Sequence, residues 1–183
     1  KRPWQGAETT ATAVASDRWR HDCYLCPRNQ RVGGTMNPDY SGTFAFNNDF
    51  PAIDATDVVA SVDPLLQVES VTGRCRVLCF SPRHDATLAT LSASELADVI
   101  DLWGQEFASL GKDHAWVQVF ENKGAMMGAS SPHPHGQVWA TSAVPTIALR
   151  EDAHQRDYAA SVHAAQAGAT LLLDYANHEI AQG

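Results

Sequence analysis

The sequence predicts an α+β fold, a mostly antiparallel sheet with helices packed on one face. Two observations carry that expectation. Short apolar runs at residues 43–46, 66–71, 75–80, 115–120 and 136–141 are strand-like, several of them alternating and bounded by turn residues. One long stretch after Ser92 has a different period, with Leu96, Val99, Ile100, Trp103 and Phe107 near a 3.6-residue spacing.

Taken in order, the chain opens on Lys1-Arg-Pro-Trp-Gln-Gly6, basic and aromatic, followed by a weakly patterned Ala/Thr-rich segment to about Asp17. Residues 19–31 carry His21, Cys23 and Cys26, and Pro27 with the later Gly33-Gly34 marks a loop. Asn37-Pro-Asp-Tyr40 is a turn signal before the first strand, and Asn47-Asn-Asp-Phe-Pro51 closes that strand. Residues 52–64 are acidic and irregular, as an exposed loop is. The runs at 66–71 and 75–80 are joined by Thr72-Gly73, which predicts a hairpin. Alternation puts Cys75 and Cys79 on one face as core thiols.

Ser92-Ala-Ser-Glu95 reads as a capping box with Ser92 as N-cap. The helix it starts should reach about Leu110 and end at Gly111. The strand at 115–120 then delivers Glu121 and Asn122 into a loop, which the strand at 136–141 leaves. After Pro145 the pattern is helical, one long helix and a second shorter one around Leu171 to Tyr175.

A chain of 183 residues is in the range of one domain, here residues 1–183, and can bury roughly 70% of its unfolded surface. A net charge of −8 and a pI near 5.3 argue against a nucleic-acid partner, which needs a basic footprint. No apolar run approaches the ~20 residues of a membrane span, so no membrane partner is expected. Nor is a secretory signal peptide visible. Four cysteines could pair in a secreted domain, but Cys23-Tyr-Leu-Cys26 reads more naturally as metal binding or redox, which favours a reducing, cytoplasmic compartment. Redox chemistry of the thioredoxin type wants such a pair at a helix start after a strand. The loop that follows here favours zinc, bound by two thiolates with His or Cys donors from elsewhere.

Residues 121–137 form the chemically richest stretch. His133 and His135 stand two apart, each preceded by a proline. Proline drives the residue before it out of the helical region, so Ser131 and His133 should be extended, with both imidazoles held at fixed positions. Gly124, Gly128 and the small residues between them and the histidines can bring backbone N–H groups close to an anion. The His-X-His spacing alone is weak evidence and favours a structural or surface pair over a functional one.

The whole string is more specific. Its Asn-Lys-Gly opening, small-residue run and closing His-Pro-His-Gly-Gln resemble, almost residue for residue, the active-site motif of the galactose-1-phosphate uridylyltransferases, the transferase branch of the histidine triad superfamily. The opening Lys-Arg-Pro-Trp-Gln-Gly and the Asn48-Asp-Phe50 string are similar to the family as well. The resemblance implies a histidine triad-like fold. It implies uridylyl exchange between UDP-glucose and galactose 1-phosphate through a covalent uridylyl-histidine, with His135 as nucleophile and its Nδ1–H donating to the His133 carbonyl. Ser130 and Gln137 would donate to the phosphoryl oxygens. In histidine triad hydrolases a further histidine stands where this chain has Gln137, so the neutral amide favours transfer over attack by water. Arg2 would approach the substrate phosphates, Asn48, Asp49 and Phe50 the uridine ribose and its surroundings, and Asn122 the substrate from the loop. Zinc would be held by Cys23, Cys26, His84 and His133.

Glu151 matches a family ligand of a second, iron site. Its three histidine partners lie in the second half of the family enzyme and have no counterpart here, so iron is expected only with that half. The resemblance spans nearly the whole chain but about the first half of a complete family enzyme, in which two histidine triad-like halves are joined and a partner subunit completes the nucleotide pocket. A homodimer, or a complex with a chain supplying the second half, is therefore implied. Two other readings stay open: a zinc-containing nucleotide-binding half that is not catalytic without a partner polypeptide, and another histidine triad nucleotidyl transferase or hydrolase.

Overall fold

A computed structural model describes residues 17–53, 56, 61, 63–66, 68–124, 127–129, 131–161 and 170–182. Four strands, β1 (Phe44–Asn47), β2 (Gly73–Cys79), β3 (Trp116–Phe120) and β4 (His135–Thr141), make one sheet in the order β1-β2-β4-β3. Every neighbouring pair is antiparallel. Three α-helices accompany it, α1 (Ala93–Leu110), α2 (Thr146–Ala160) and α3 (Leu171–Gln182), with a short 3₁₀ turn at Leu88–Thr90. The α+β expectation holds, and no helix among the described residues is long and apolar enough to cross a membrane.

Residues opposite one another in antiparallel strands share a face, so the register assigns the two faces of the sheet. One face carries Ala45, Leu78, Gly136, Val138, Ala140, Val117 and Val119, and the other carries Phe44, Phe46, Cys75, Val77, Cys79, His135, Gln137, Trp139, Gln118 and Phe120. The first face packs on α1, where Leu78, Val99, Val117, Val138 and Ala140 are buried together with Leu91 and Leu110. Each fully buried aliphatic side chain there is worth about 1.5–3 kcal/mol over an exposed one. On the second face lies a smaller core of Cys23, Leu25, Cys26, Tyr40, Phe46, Val77 and Cys79. The sheet is thus a wall between a helix-covered core and a loop-covered one.

The helix α1 begins as the sequence predicts. The Ser92 Oγ accepts from Glu95 N at 3.3 Å while Ser92 N donates to the Glu95 carboxylate at 2.7 Å, which together satisfy two helix-end donors. Arg76 of β2 reaches across to α1, donating to Glu106 at 2.8 Å, and to Asn47 of β1 at 3.0 Å. A guanidinium fork that binds helix and edge strand at once fixes the tilt of α1 on the sheet. The helices α2 and α3 pair with each other, the Tyr158 hydroxyl donating to Asp174 at 2.8 Å.

One expectation is corrected. The described residues of the 66–71 run are in no strand, and the expected hairpin does not form. Both edges of β2 are already taken, by β1 on one side and β4 on the other, which leaves no ladder for a further strand. Leu66, Val68 and Val71 are accordingly exposed. Gly73 is not a turn residue but the first residue of β2, laid so close to the Ala140 carbonyl that no Cβ fits. Cys75 and Cys79 are buried on one face as expected, and burial pushes the Cys79 thiol up to about 12, where it is inert.

Gly136 is the second glycine with a packing reason. A Cβ there would come within 2.7 Å of the Phe80 ring and 2.8 Å of the Phe120 carbonyl. Gly136→Ala should therefore lower unfolding stability by about 1–3 kcal/mol, the usual cost of overpacking. Urea unfolding checks this; an unchanged midpoint and slope would mean that the sheet and Phe80 yield freely.

Candidate metal centre and active-site cleft

Cys23, Cys26, His84 and His133 come together in the loop-covered core. Their ligand atoms all lie within 4.8 Å of one another, and all four residues are buried. The Cys26 Sγ is 3.7 Å from His84 Nδ1 and 3.6 Å from His133 Nδ1. A tetrahedral ion with metal–sulfur and metal–nitrogen bonds of about 2.3 and 2.0 Å sets such ligand edges at about 3.3–3.8 Å. These four residues could therefore hold one metal ion, and the donor set fits it. His133 is prepared for that role. Its Nε2–H donates to the Ser81 carbonyl at 2.9 Å, and the Tyr40 hydroxyl stands 3.1 Å from the same nitrogen. A carbonyl can only accept, so the proton is on Nε2 and the Nδ1 lone pair faces the cluster. Burial, then the neighbouring His84, pushes His133 down to about 4, which keeps the ring neutral and ligating.

The loop holding the two cysteines is itself held by side chains that carried no functional reading in the sequence. Asn29 donates to the carbonyls of Arg20 and Cys23 at 2.7 and 2.8 Å, and Asn37 to those of Tyr24 and Cys26 at 2.9 and 3.0 Å. The Tyr40 hydroxyl donates to Leu25 at 2.6 Å, and burial among thiols keeps its phenol protonated. Only the turn string Asn37-Pro-Asp-Tyr40 marked Asn37 and Tyr40, and Asn29 was marked by nothing beyond its place in the loop after Pro27. Their partners are carbonyls, which any sequence supplies, so composition gives no signal for them.

His135 begins β4 one residue earlier than expected, at the rim between two hollows. Its Nδ1–H donates to the His133 carbonyl at 2.7 Å, leaving the Nε2 lone pair free. On one side a cavity of about 500 Å³ is lined by Leu25, Phe46, Asn48, Asp49 and Phe50, with His135 and Gln137. On the other a cavity of about 270 Å³ is lined by His84, Glu121, Asn122, Lys123, Gly124 and His133, again with His135. Both hollows mix apolar and polar groups, and the smaller one sets Lys123 beside the carboxylates Asp85 and Glu121. An imidazole nitrogen between them is open to a molecule that reaches from one hollow into the other. Gly124 and Gly128 both take positive φ, at 86° and 77°, and Gly124 lines the smaller hollow.

Asp49 is held by Arg31, 3.7 Å away, whose guanidinium also lies 4.1 Å over the Phe46 ring. Arg31 had no motif to mark it. Of the other candidates, Arg2 and Ser130 lie outside the described residues. Glu151 is exposed on α2 and joins no metal-ligating cluster among the described residues.

Burial pushes the Cys26 thiol up to about 11. A metal must therefore displace its proton at neutral pH, and loading should release protons and tighten as pH rises. His133, already neutral, contributes none. Zinc titration in buffers of different ionisation enthalpy reads this count, and proton-neutral loading at pH 7 would contradict it. Cys26→Ala should lose most bound metal by elemental analysis and melt earlier, a structural zinc being worth ~10–16 kcal/mol of apparent binding energy.

The family model described as galactose-1-phosphate uridyl transferase, N-terminal domain, matches residues 1–145. A galactose-1-phosphate uridylyltransferase of Haemophilus influenzae is 45% identical over 183 residues, covering 99% of this chain and 51% of its own length. One of Rattus norvegicus is 47% identical over 184 residues, covering 98% of this chain and 47% of its own. The chain thus spans about half the length of the curated relatives it matches. A solved structure described as uridylyltransferase superposes with a TM-score of 0.61 at 21% identity, covering 80% of this chain and 47% of that one, a likeness of fold. By the family match and these relatives, the chain belongs to the galactose-1-phosphate uridylyltransferase family.

Proposed function

We propose that residues 1–183 are a single domain, the nucleophile-bearing half of a UDP-glucose–hexose-1-phosphate uridylyltransferase of galactose metabolism. His135 is the nucleophile. Its Nε2 lone pair attacks the α-phosphorus of UDP-glucose. An N–P bond forms, the bond from that phosphorus to the bridging oxygen breaks, and glucose 1-phosphate leaves with the electron pair. A phosphate oxygen of galactose 1-phosphate then attacks the same phosphorus, the N–P pair returns to Nε2, and UDP-galactose departs.

The observation that carries this reading is the 2.7 Å bond from His135 Nδ1–H to the His133 carbonyl. That bond fixes the tautomer with the nucleophilic nitrogen bare. Its carbonyl also takes up part of the positive charge the ring acquires on uridylylation. No proton has to leave Nδ1 in either step. Charge on the phosphoryl oxygens is met by Gln137, Ser130 and backbone N–H groups of the 121–131 loop, with Arg2 and Asn122 adding to phosphate binding. Asn48 and Asp49 contact the ribose in the larger cavity, beside Phe50.

Zinc is the proposed occupant of the Cys23, Cys26, His84 and His133 cluster, where it would cross-link the loops behind the nucleophile and do no chemistry on the substrate. Glu151 is retained as one ligand of a second, iron-binding site that needs donors from another half. The proposed working form is a cytoplasmic homodimer, or a complex with a chain that supplies the second half.

Intact-protein mass spectrometry after incubation with UDP-glucose tests the reading, with the second-half polypeptide present and absent. A gain of one uridylyl group on His135, lost in a folded His135→Ala protein, is the expected result. An adduct that persists in His135→Ala removes the nucleophile assignment. Nucleotide binding without any adduct, with or without the second half, would instead identify a non-catalytic binding module.

A further inference from the structure

Gln137 is an amide whose two ends are chemically opposite, and its use depends on which end faces the cleft. Its Oε1 accepts from the Trp139 indole Nε1–H at 3.2 Å, and the Asn48 Nδ2 stands 3.5 Å from the same oxygen. An indole N–H can only donate, so the atom facing it must be the amide oxygen. Asn48 is oriented in turn, since its Oδ1 accepts from Phe50 N at 3.0 Å and its amino group is left for Gln137. The indole ring is seated edge-on against Phe120, with centroids 5.4 Å apart and an interplanar angle of 85°. The i, i+2 spacing on β4 puts Gln137 and Trp139 on the same face as His135.

We propose that Trp139 is a positioning residue, which with Asn48 locks the Gln137 carboxamide so that its NH₂ is the end offered to the phosphoryl group beside His135. The inference rests on the reading above, in which Gln137 donates to that group. Rotating the amide by a half-turn would set donor against donor at both Trp139 and Asn48. It would also point a carbonyl at an anionic oxygen. Each of those contacts is unfavourable, so one indole N–H selects the orientation. Trp139 touches no reacting atom and acts only through Gln137.

A double-mutant cycle on UDP binding separates this role from general packing. Trp139→Phe keeps the aromatic body and removes the N–H. By calorimetry it should weaken UDP about threefold to tenfold, the range of one net hydrogen bond. In a Gln137→Ala background the same change should cost less than about twofold, because there is no amide left to orient. An equal loss in both backgrounds, or wild-type affinity in Trp139→Phe, overturns the proposal. Wild-type protein that binds UDP but forms no uridylyl adduct removes the transfer reading and leaves the cycle readable. Wild-type protein that binds no UDP overturns the phosphoryl site and this role with it. A second measurement needs no ligand: the Trp139 indole N–H resonance should shift upfield and exchange faster in Gln137→Ala. An unchanged resonance would show that the two side chains are not bonded in solution.

Discussion

His133 occupies two positions in the architecture at once, and the rest of the site depends on that. Its side chain belongs to the buried four-donor cluster, and its backbone carbonyl holds the His135 ring at 2.7 Å. One residue therefore ties the four-donor cluster to the cleft. The prolines on either side keep the link short and stiff, since their own φ angles are fixed and Pro134 leaves His133 few backbone alternatives. Anything that loosens the cluster is transmitted to the position of one carbonyl oxygen, and so to the tautomer of the neighbouring imidazole. The four-residue cluster and the His135 ring are mechanically one object.

The sheet gives that object its rigidity. Its α1 face is filled by aliphatic side chains and closed by the Arg76 fork, while the opposite face presents His135, Gln137 and Trp139 in alternation. Gly136 faces α1 between two neighbours that line the cleft, His135 and Gln137, where only a glycine leaves room for Phe80. The His-Gly-Gln order is thus a packing statement as well as a chemical one. Polar residues needed at the cleft alternate with the small or apolar residues needed by the core.

Much of this was legible before the fold was known. The helix α1, its cap and its end follow from Ser92, Glu95 and Gly111, because the signals are local and the partners lie within three or four residues. Cys23, Cys26, His84, His133 and His135 were marked through the family resemblance; the structure gathers the first four into one cluster and ties His135 to His133 by a hydrogen bond. What failed or stayed silent was non-local. The 66–71 run has the composition of a strand, yet β2, its expected hairpin partner, has no free edge once β1 and β4 flank it. Tyr40 meets His133 across 93 residues, and Arg31 meets Asp49 and Phe46 only after the loop has folded over the sheet. Such residues carry ordinary identities, and it is their partners that give them a function.

The most direct test of the link between the cluster and the proposed nucleophile is the tautomer of His135, read by ring nitrogen-15 resonances in the metal-loaded protein. A neutral ring with its proton on Nδ1 and a pyridine-like Nε2 is the result this account predicts. A proton on Nε2, or a freely exchanging mixture of the two tautomers in the folded protein, would contradict it.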